Sequence, residues 1–314
     1  MRPFLVRRLI LGGAALLGLS LLAFGLIRVI PGDTVMAQLA ESGNVSDLAA
    51  ARAALGLDRP FAVQYATWLG AALRGDLGTS FWSKRPVIED LLAALPVSVE
   101  LALLAMLLAM AVALPLGAAA AARRGGTTDL LARLLSFGGL SVPHFWIATL
   151  VLLYGSIWFR WVPPLGYVSP RESLGQNLEQ FAIPAAILGL HLSARSLRLV
   201  RSSLLEALQE DYIRTAWAKG LRGTRVMWGH AFRNALIPIL TLLGGQFTYL
   251  LSGSVILEDI FSLSGVGRYI VEAVTHRDYP AVQGAILFTG LVVIGVNLVV
   301  DLAYAWIDPR IRYQ

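Results

Sequence analysis

Cysteine is absent from this 314-residue chain, and charged side chains make up only 15% of it. The lack of cysteine excludes disulfides, zinc–thiolate sites, iron–sulfur clusters and cysteine nucleophiles. Soluble domains carry about 25% charged residues, so a chain that is 56% hydrophobic, with a mean hydropathy of +0.66, is not a water-soluble domain. No repeat of about 20–50 residues is visible either, which excludes a solenoid.

Long apolar runs recur along the chain, and a helix lets a single segment satisfy its own backbone hydrogen bonds in lipid. The sequence therefore predicts an all-α membrane protein with six transmembrane helices. The predicted spans are Leu9–Ile27, Leu101–Ala122, Leu134–Phe159, a fourth that begins at Phe181 and meets Arg195 early, Ala235–Leu257 and Ala281–Val300. Three of them contain a proline, at Pro115, Pro143 and Pro184, where we expect the helix to bend.

Most of the 26 lysine and arginine residues lie on the side of the membrane that carries both termini. The positive-inside rule places that side in the cytoplasm. The net charge of +6 is therefore explained by topology, and we expect no nucleic-acid partner. A signal peptide over residues 1–37, cleaved after Ala37, is disfavoured because its apolar core is too long and Arg28 follows it directly.

The long loop after the first span contains a predicted amphipathic helix. Phe61, Tyr65, Trp68 and Leu69 are spaced as one face of a helix that ends near Leu73. Two interpretations stay open, packing on the membrane face and docking of a partner outside the membrane. We favour the first.

The loop over residues 195–234 is much longer than the roughly 2–8 residues usual between helices. Glu210 and Asp211 suit the start of a short helix, and Lys219 with Gly220 suits its end. A second helical stretch is predicted from residue 223 to 234. A basic amphipathic segment could lie on anionic membrane lipids, but small residues at 215, 216 and 218 favour close approach by a protein partner.

Short motifs occur in order along the whole chain. They are Arg28-Val29-Ile30-Pro31-Gly32-Asp33, Leu55-Gly56-Leu57-Asp58-Arg59-Pro60, Val63-Gln64-Tyr65, Gly75-Asp76-Leu77-Gly78, Ser80-Phe81, Glu210-Asp211-Tyr212-Ile213-Arg214-Thr215-Ala216, Lys219-Gly220-Leu221, Arg233-Asn234-Ala235-Leu236-Ile237-Pro238, Gly265-Val266-Gly267-Arg268, Arg277-Asp278-Tyr279-Pro280, Gln283-Gly284 and Asp308-Pro309-Arg310-Ile311-Arg312. Together they resemble the permease subunits of ABC importers, in the dipeptide, oligopeptide and nickel branch. That family's cytoplasmic loop carries Glu-Ala-Ala, three residues and Gly; here Arg214-Thr215-Ala216 takes the first three places, with arginine replacing glutamate, and Gly220 keeps the spacing.

The resemblance implies a type I ABC importer permease fold in the bacterial inner membrane, as the first of two permease chains. It implies an N-terminal transmembrane helix over residues 1–30, a periplasmic region over 31–100 with the amphipathic helix, and a five-helix core over 101–314 with a coupling loop at 195–234. The implied partners are a second homologous permease, two ATPase subunits and a periplasmic or lipid-anchored solute-binding protein. Short peptides, or nickel and other metal chelates, are the expected cargo.

The resemblance also implies that the coupling loop binds the ATPase. The residues expected to do so are Glu210, Asp211, Tyr212, Arg214, Thr215, Ala216, Lys219 and Gly220. The chain lacks G-x-x-x-x-G-K-[ST], H-E-x-x-H and G-x-S-x-G, so it is not expected to be an enzyme or to bind a cofactor. ATP and Mg²⁺ are expected in the partner ATPases, and no catalytic or metal-binding residue is predicted here.

Two other classes of function stay open, an ion-coupled secondary transporter or channel and a membrane-embedded scaffold or enzyme. The first usually needs ionisable residues at mid-membrane, and the predicted span interiors carry no Asp, Glu, Lys or Arg. His144, His191 and Gln246 are the candidates for a pore or substrate path. We favour hydrogen-bonded interior roles for both histidines over a proton relay, with admission of a metal complex as an alternative for His144.

Overall fold

The computed structural model describes residues 2–29 and 58–307, and these ranges are helical apart from connections and one bridge between Thr79 and Pro86. The helices are α1 (Arg2–Val29), α2 (Phe61–Ala72), α3 (Val87–Ala122), α4 (Thr127–Ser141), α5 (His144–Phe159), α6 (Leu174–Leu208), α7 (Asp211–Ala218), α8 (Gly223–Arg225), α9 (Phe232–Gly253), α10 (Val255–Ile260), α11 (Val266–Thr275) and α12 (Tyr279–Ile307). A π-helical turn, Val226–Ala231, joins α8 to α9. The motif positions 30–33, 55–57 and 308–312, and the disfavoured cleavage site at 35–37, lie outside the described residues.

Five helical segments are long and apolar enough to cross a membrane, and α4 with α5 supplies a sixth crossing if that bent pair is one span. The five are carried by α1, α3, α6, the segment from α8 to α9, and α12. The all-helical fold predicted from the apolar runs is therefore confirmed.

The third predicted span, Leu134–Phe159, is not one continuous helix. The axes of α4 and α5 differ by 80°, with the break at Val142 and Pro143. Val142 is extended (φ −104°, ψ 123°), the conformation that the ring of a following proline favours. The bend was predicted at the correct position, Pro143. The chain is not one bent helix there, because α4 ends at Ser141 and α5 begins at His144.

The boundaries of the next two spans also differ from the prediction. Residues 195–208 were assigned to the long inside loop, although their apolar residues recur at helical spacing. They continue α6 to Leu208, with apolar side chains buried along one face. The fifth span was predicted to reach Leu257, but α9 ends at Gly253 and a short helix follows.

The short helix α10 contains a buried carboxylate that was not predicted from the sequence. Glu258 is fully buried there and accepts hydrogen bonds from the Ser98 and Ser254 hydroxyls, both at 2.7 Å.

The helices form two compact units, which are described separately. The first contains α1, α2, the start of α3 as far as Pro96, α11 and the part of α12 as far as Gly295. The second contains the helices from the rest of α3 to α10 together with the remainder of α12.

In the first unit, the amphipathic helix α2 packs on α1. The ring centroid of Phe24 lies 5.3–5.4 Å from those of Phe61, Tyr65 and Trp68. The hydroxyls of Tyr65 and Ser20 are 2.8 Å apart and share a hydrogen bond. The aromatic face of α2 thus packs on α1 within the chain, a contact that neither of the two interpretations predicted.

Two of the predicted motifs, about 200 residues apart in sequence, meet in the same unit. The buried carboxylate of Asp278 accepts hydrogen bonds from the Ser80 hydroxyl and from the backbone N–H groups of Trp82 (3.1 Å) and Ala281 (3.2 Å). It therefore ties the connection before α3 to the start of α12, where a carboxylate also complements the helix dipole.

In the second unit, α3 and α6 approach closely. A Cβ atom at Gly189 would lie 2.8 Å from the carbonyl oxygen of Ala105, so only glycine fits. The connection before α6 is held by Asn177, whose side-chain amide donates to the carbonyl of Val168 (3.0 Å). Burial, aided by a hydrogen bond to Glu100, raises the pKa of Tyr167 in this connection to about 12.

An ion pair joins α4 to α6. The Asp129 side chain is 2% exposed and that of Arg201 is 20% exposed. The Arg201 guanidinium donates to the Asp129 carboxylate through two nitrogens, and its Nη2 lies 3.0 Å from Oδ2. The backbone N–H of Gly125 also donates to Oδ2. This bidentate pair fixes α4 against the part of α6 that leads to the coupling loop.

Candidate functional site

The predicted short helix of the coupling loop is present as α7. Glu210 is extended (φ −70°, ψ 148°) and precedes the first turn, which contains Asp211. At the other end Gly220 has φ +73°, and its N–H donates to the carbonyl of Trp217 at 2.9 Å. A left-handed glycine is a common way to end a helix, so the start and stop predicted from the sequence are confirmed.

One face of α7 is anchored within the chain. Ile213 is fully buried and Ala216 is only 5% exposed. Both belong to a hydrophobic cluster, here called the coupling core, with members from the ends of α3 and α6, the π-helical turn and the start of α9. Its buried members are Ala118, Ala121, Val200, Leu204, Ala207, Ile213, Ala216, Val226, Ala231, Ala235 and Ile239.

This burial corrects one predicted contact. Ala216 was expected to face the ATPase, but it is covered by the chain's own coupling core. Its small side chain instead lets α7 lie close to the helices beneath it. Ile213, which sequence reasoning did not assign to the site, is the larger anchor.

The other face of α7 is exposed. It carries the predicted residues Glu210, Asp211, Tyr212, Arg214, Thr215, Lys219 and Gly220. Trp217, 52% exposed, was missed. A large aromatic residue in a short, mostly polar helix was the available signal, since tryptophan and tyrosine are enriched at binding interfaces.

A cavity of about 690 Å³ lies between α6 and α9 in the second unit. Two of the three predicted pore residues, His191 and Gln246, line it. The third, His144, has its ring centroid 5.1 Å from that of His191. The structure therefore brings together two histidines that are 47 positions apart in sequence, one of which lines a mostly apolar cavity.

Both lining residues are hydrogen-bonded to backbone or side chain. The His191 Nδ1 atom is 3.1 Å from the carbonyl oxygen of Gly139, so it carries the proton. The Gln246 amide donates to the Ser196 hydroxyl at 3.0 Å. These contacts agree with the favoured interpretation of His191 as a hydrogen-bonded interior side chain.

Comparison with known proteins adds independent information. Residues 113–313 match the family model described as binding-protein-dependent transport system inner membrane component, and residues 1–102 match the model for the N-terminal part of such membrane components. The chain is 38% identical over 338 residues to the dipeptide transport system permease protein DppB of Escherichia coli (strain K12). It is 35% identical over 333 residues to the protein of the same name from Alkalihalophilus pseudofirmus (strain OF4). Each alignment covers all of both chains.

Proposed function

Because the chain belongs to the family of binding-protein-dependent transport system inner membrane components, we propose that it is one half of an ATP-driven pore that imports short peptides. Membership makes it a multi-pass inner-membrane permease subunit of an ABC transport system. The peptide cargo is inferred from relatives named as dipeptide permeases. Nickel and other chelates have no such support.

The coupling core is the observation that carries the mechanism. It joins α7 to the end of α6 and the start of α9, and the same two helices flank the cavity. A force applied to the exposed face of α7 would therefore be transmitted to both cavity walls. A packed apolar cluster suits this role because close-packed interiors deform little and transmit strain.

The force would come from partner subunits. In our proposal two ATPases bind the exposed face of α7, hold ATP and Mg²⁺, and switch the pore between outward and inward access as they close. A second permease chain completes the pore, and a periplasmic or lipid-anchored binding protein delivers the peptide. The basic loops, the termini and the coupling loop then lie in the cytoplasm, in line with the positive-inside rule. This chain itself holds no cofactor and performs no catalysis.

A channel or ion-coupled carrier finds no support in the comparisons, since the relatives are permeases of binding-protein-dependent systems. The two classes differ in their energy source. The decisive physical requirement of our proposal is that free energy enters through differential binding of the ATPases to two states of the permease.

Substitution of Trp217 by alanine tests the proposed ATPase contact. We expect the affinity of the permease for its ATPase subunits to fall about 10–100-fold, the usual effect of truncating a central aromatic residue of an interface. The measurement is titration of the purified ATPases onto permease in nanodiscs.

The matched control is Trp158→Ala, because Trp158 is also exposed but belongs to the end of α5, which is not part of the coupling loop. This control is expected to bind the ATPases normally. Equal affinities for the Trp217 variant and the unaltered chain would remove α7 from the proposed interface.

A further inference from the structure

Building on the proposed function, we propose that Arg195 binds the C-terminal carboxylate of the transported peptide inside the cavity between α6 and α9. The site would select its ligand by the anionic end that all linear peptides share. The side chain of the peptide's last residue would then lie against the apolar part of the cavity wall.

The size and lining of the cavity suit such a ligand. Its volume of about 690 Å³ falls in the roughly 300–1,000 Å³ typical of small-molecule sites. One wall is a single face of α9, with Thr241, Gly245 and Tyr249 at helical spacing. Leucines from α4, α6 and α9 supply the apolar part of the lining. Mostly apolar walls with a few polar groups are the usual composition of a ligand site.

Arg195 is the one formally charged residue among those that line the cavity. Within residues 2–29 and 58–307 it takes part in no ion pair. Arg195 is exposed on the helix that carries the fourth span, so its charge is open to water or to a ligand in the cavity. Its planar guanidinium matches a carboxylate in a bidentate pair.

Two neighbouring arginines on α6 provide the contrast. Arg201 already has an acidic partner, because its guanidinium forms an ion pair with Asp129. Arg195 and Arg198 are both exposed, but only Arg195 lines the cavity. Arg195 thus differs from both, because it lines the cavity and has no ion-pair partner among the described residues.

His191 supplies a second contact of the right chemistry. Its Nδ1 faces the carbonyl oxygen of Gly139, which only accepts, so Nε2 is the ring nitrogen that is left to accept a hydrogen bond from a ligand. His191 precedes Arg195 by four residues, and side chains at this spacing are neighbours on a helix, about 5–6 Å apart at Cβ. A cation next to an acceptor matches the carboxylate and the last amide N–H of a peptide.

The test uses the complete transporter with its binding protein, reconstituted with ATP, and L-alanyl-L-alanine as the probe. We expect Arg195→Gln to lower dipeptide uptake about tenfold or more, the effect of losing a charge-assisted hydrogen bond, and Arg195→Lys to retain part of it. The matched control, Arg198→Gln, should transport normally. Normal uptake by Arg195→Gln would overturn the proposal.

Binding measurements on the complex without its binding protein test the carboxylate itself. In the unaltered complex, the C-terminal amide of the dipeptide should compete with labelled dipeptide at least about tenfold less well than the free acid. In Arg195→Gln the two competitors should be equal. Equal competition in the unaltered complex would contradict carboxylate recognition.

The remaining experiments distinguish the peptide carboxylate from the other groups that Arg195 could contact. Uptake is repeated in vesicles of phosphatidylcholine alone, where a persistent Arg195→Gln defect supports the peptide and a vanished defect points to an anionic lipid headgroup instead. Failure of Arg195→Gln to co-purify with the second permease would assign Arg195 to subunit assembly and overturn the proposal. Absence of any peptide uptake by the unaltered complex would instead contradict the proposed function.

Discussion

The Gly220→Pro variant is expected to lose ATP-driven uptake completely while the chain still inserts into the membrane. Gly220 has φ +73°, whereas the proline ring requires a φ near −65°. Proline also removes the N–H that donates to the carbonyl of Trp217. The end of α7 and its connection to α8 must therefore rearrange, so Ile213 and Ala216 can no longer be held in the coupling core and the exposed face loses its orientation.

Two milder substitutions at the same position provide the controls. Gly220→Ala keeps the N–H but puts a Cβ in the left-handed region, at about 1–2 kcal/mol, so we expect reduced uptake. Gly220→Asn should come closest to the unaltered chain because asparagine tolerates this conformation. The measurement is peptide uptake per ATP hydrolysed in proteoliposomes. Full coupling in Gly220→Pro would contradict the role of α7 as a rigid connection.

Removal of the Asp129 carboxylate is expected to have the largest effect on stability. The Asp129→Leu variant leaves Arg201, which is only 20% exposed, without its bidentate partner. Breaking one side of a buried ion pair usually costs about 3–5 kcal/mol. The measurement is thermal unfolding of the permease in nanodiscs, followed by the loss of helical signal.

A double variant distinguishes the ion pair from simple packing. Asp129→Leu with Arg201→Met replaces both charges by apolar groups, and we expect it to recover most of the lost stability. Asp211→Ala is the exposed control, since its pair with Arg214 is open to water and contributes little. If the double variant were as unstable as the single one, the pair would not explain how α4 is held to α6.

The membrane spans and α7 could be predicted because their signals are local. Apolar runs of about 20 residues identify a span, and Asp211 and Gly220 act on the helix that contains them. The helical spacing of residues 197–208 was visible in the sequence, but not that they continue α6 without a break. Their basic residues suggested a loop, whereas their apolar side chains pack in the coupling core. The break at Pro143 was predicted only as a bend, since proline identity alone does not decide between the two.

The sequence predicted where the short helix of the coupling loop lies, but not which of its faces is buried. Which face of an eight-residue helix is buried depends on what lies beneath it, so Ala216 was placed on the wrong face and Ile213 and Trp217 were not assigned. Arg195 was visible only as an early charge in a span. Its place beside Gln246 depends on the packing of α6 against α9, which the sequence does not show.

Uptake of labelled L-alanyl-L-alanine into sealed vesicles tests the central claim most directly. Vesicles are prepared with this subunit alone or with the second permease, both ATPases and the binding protein, each with and without ATP on the ATPase side. We predict uptake only from the complete set with ATP. Uptake by this subunit alone, without nucleotide, would contradict an ATP-driven half-pore.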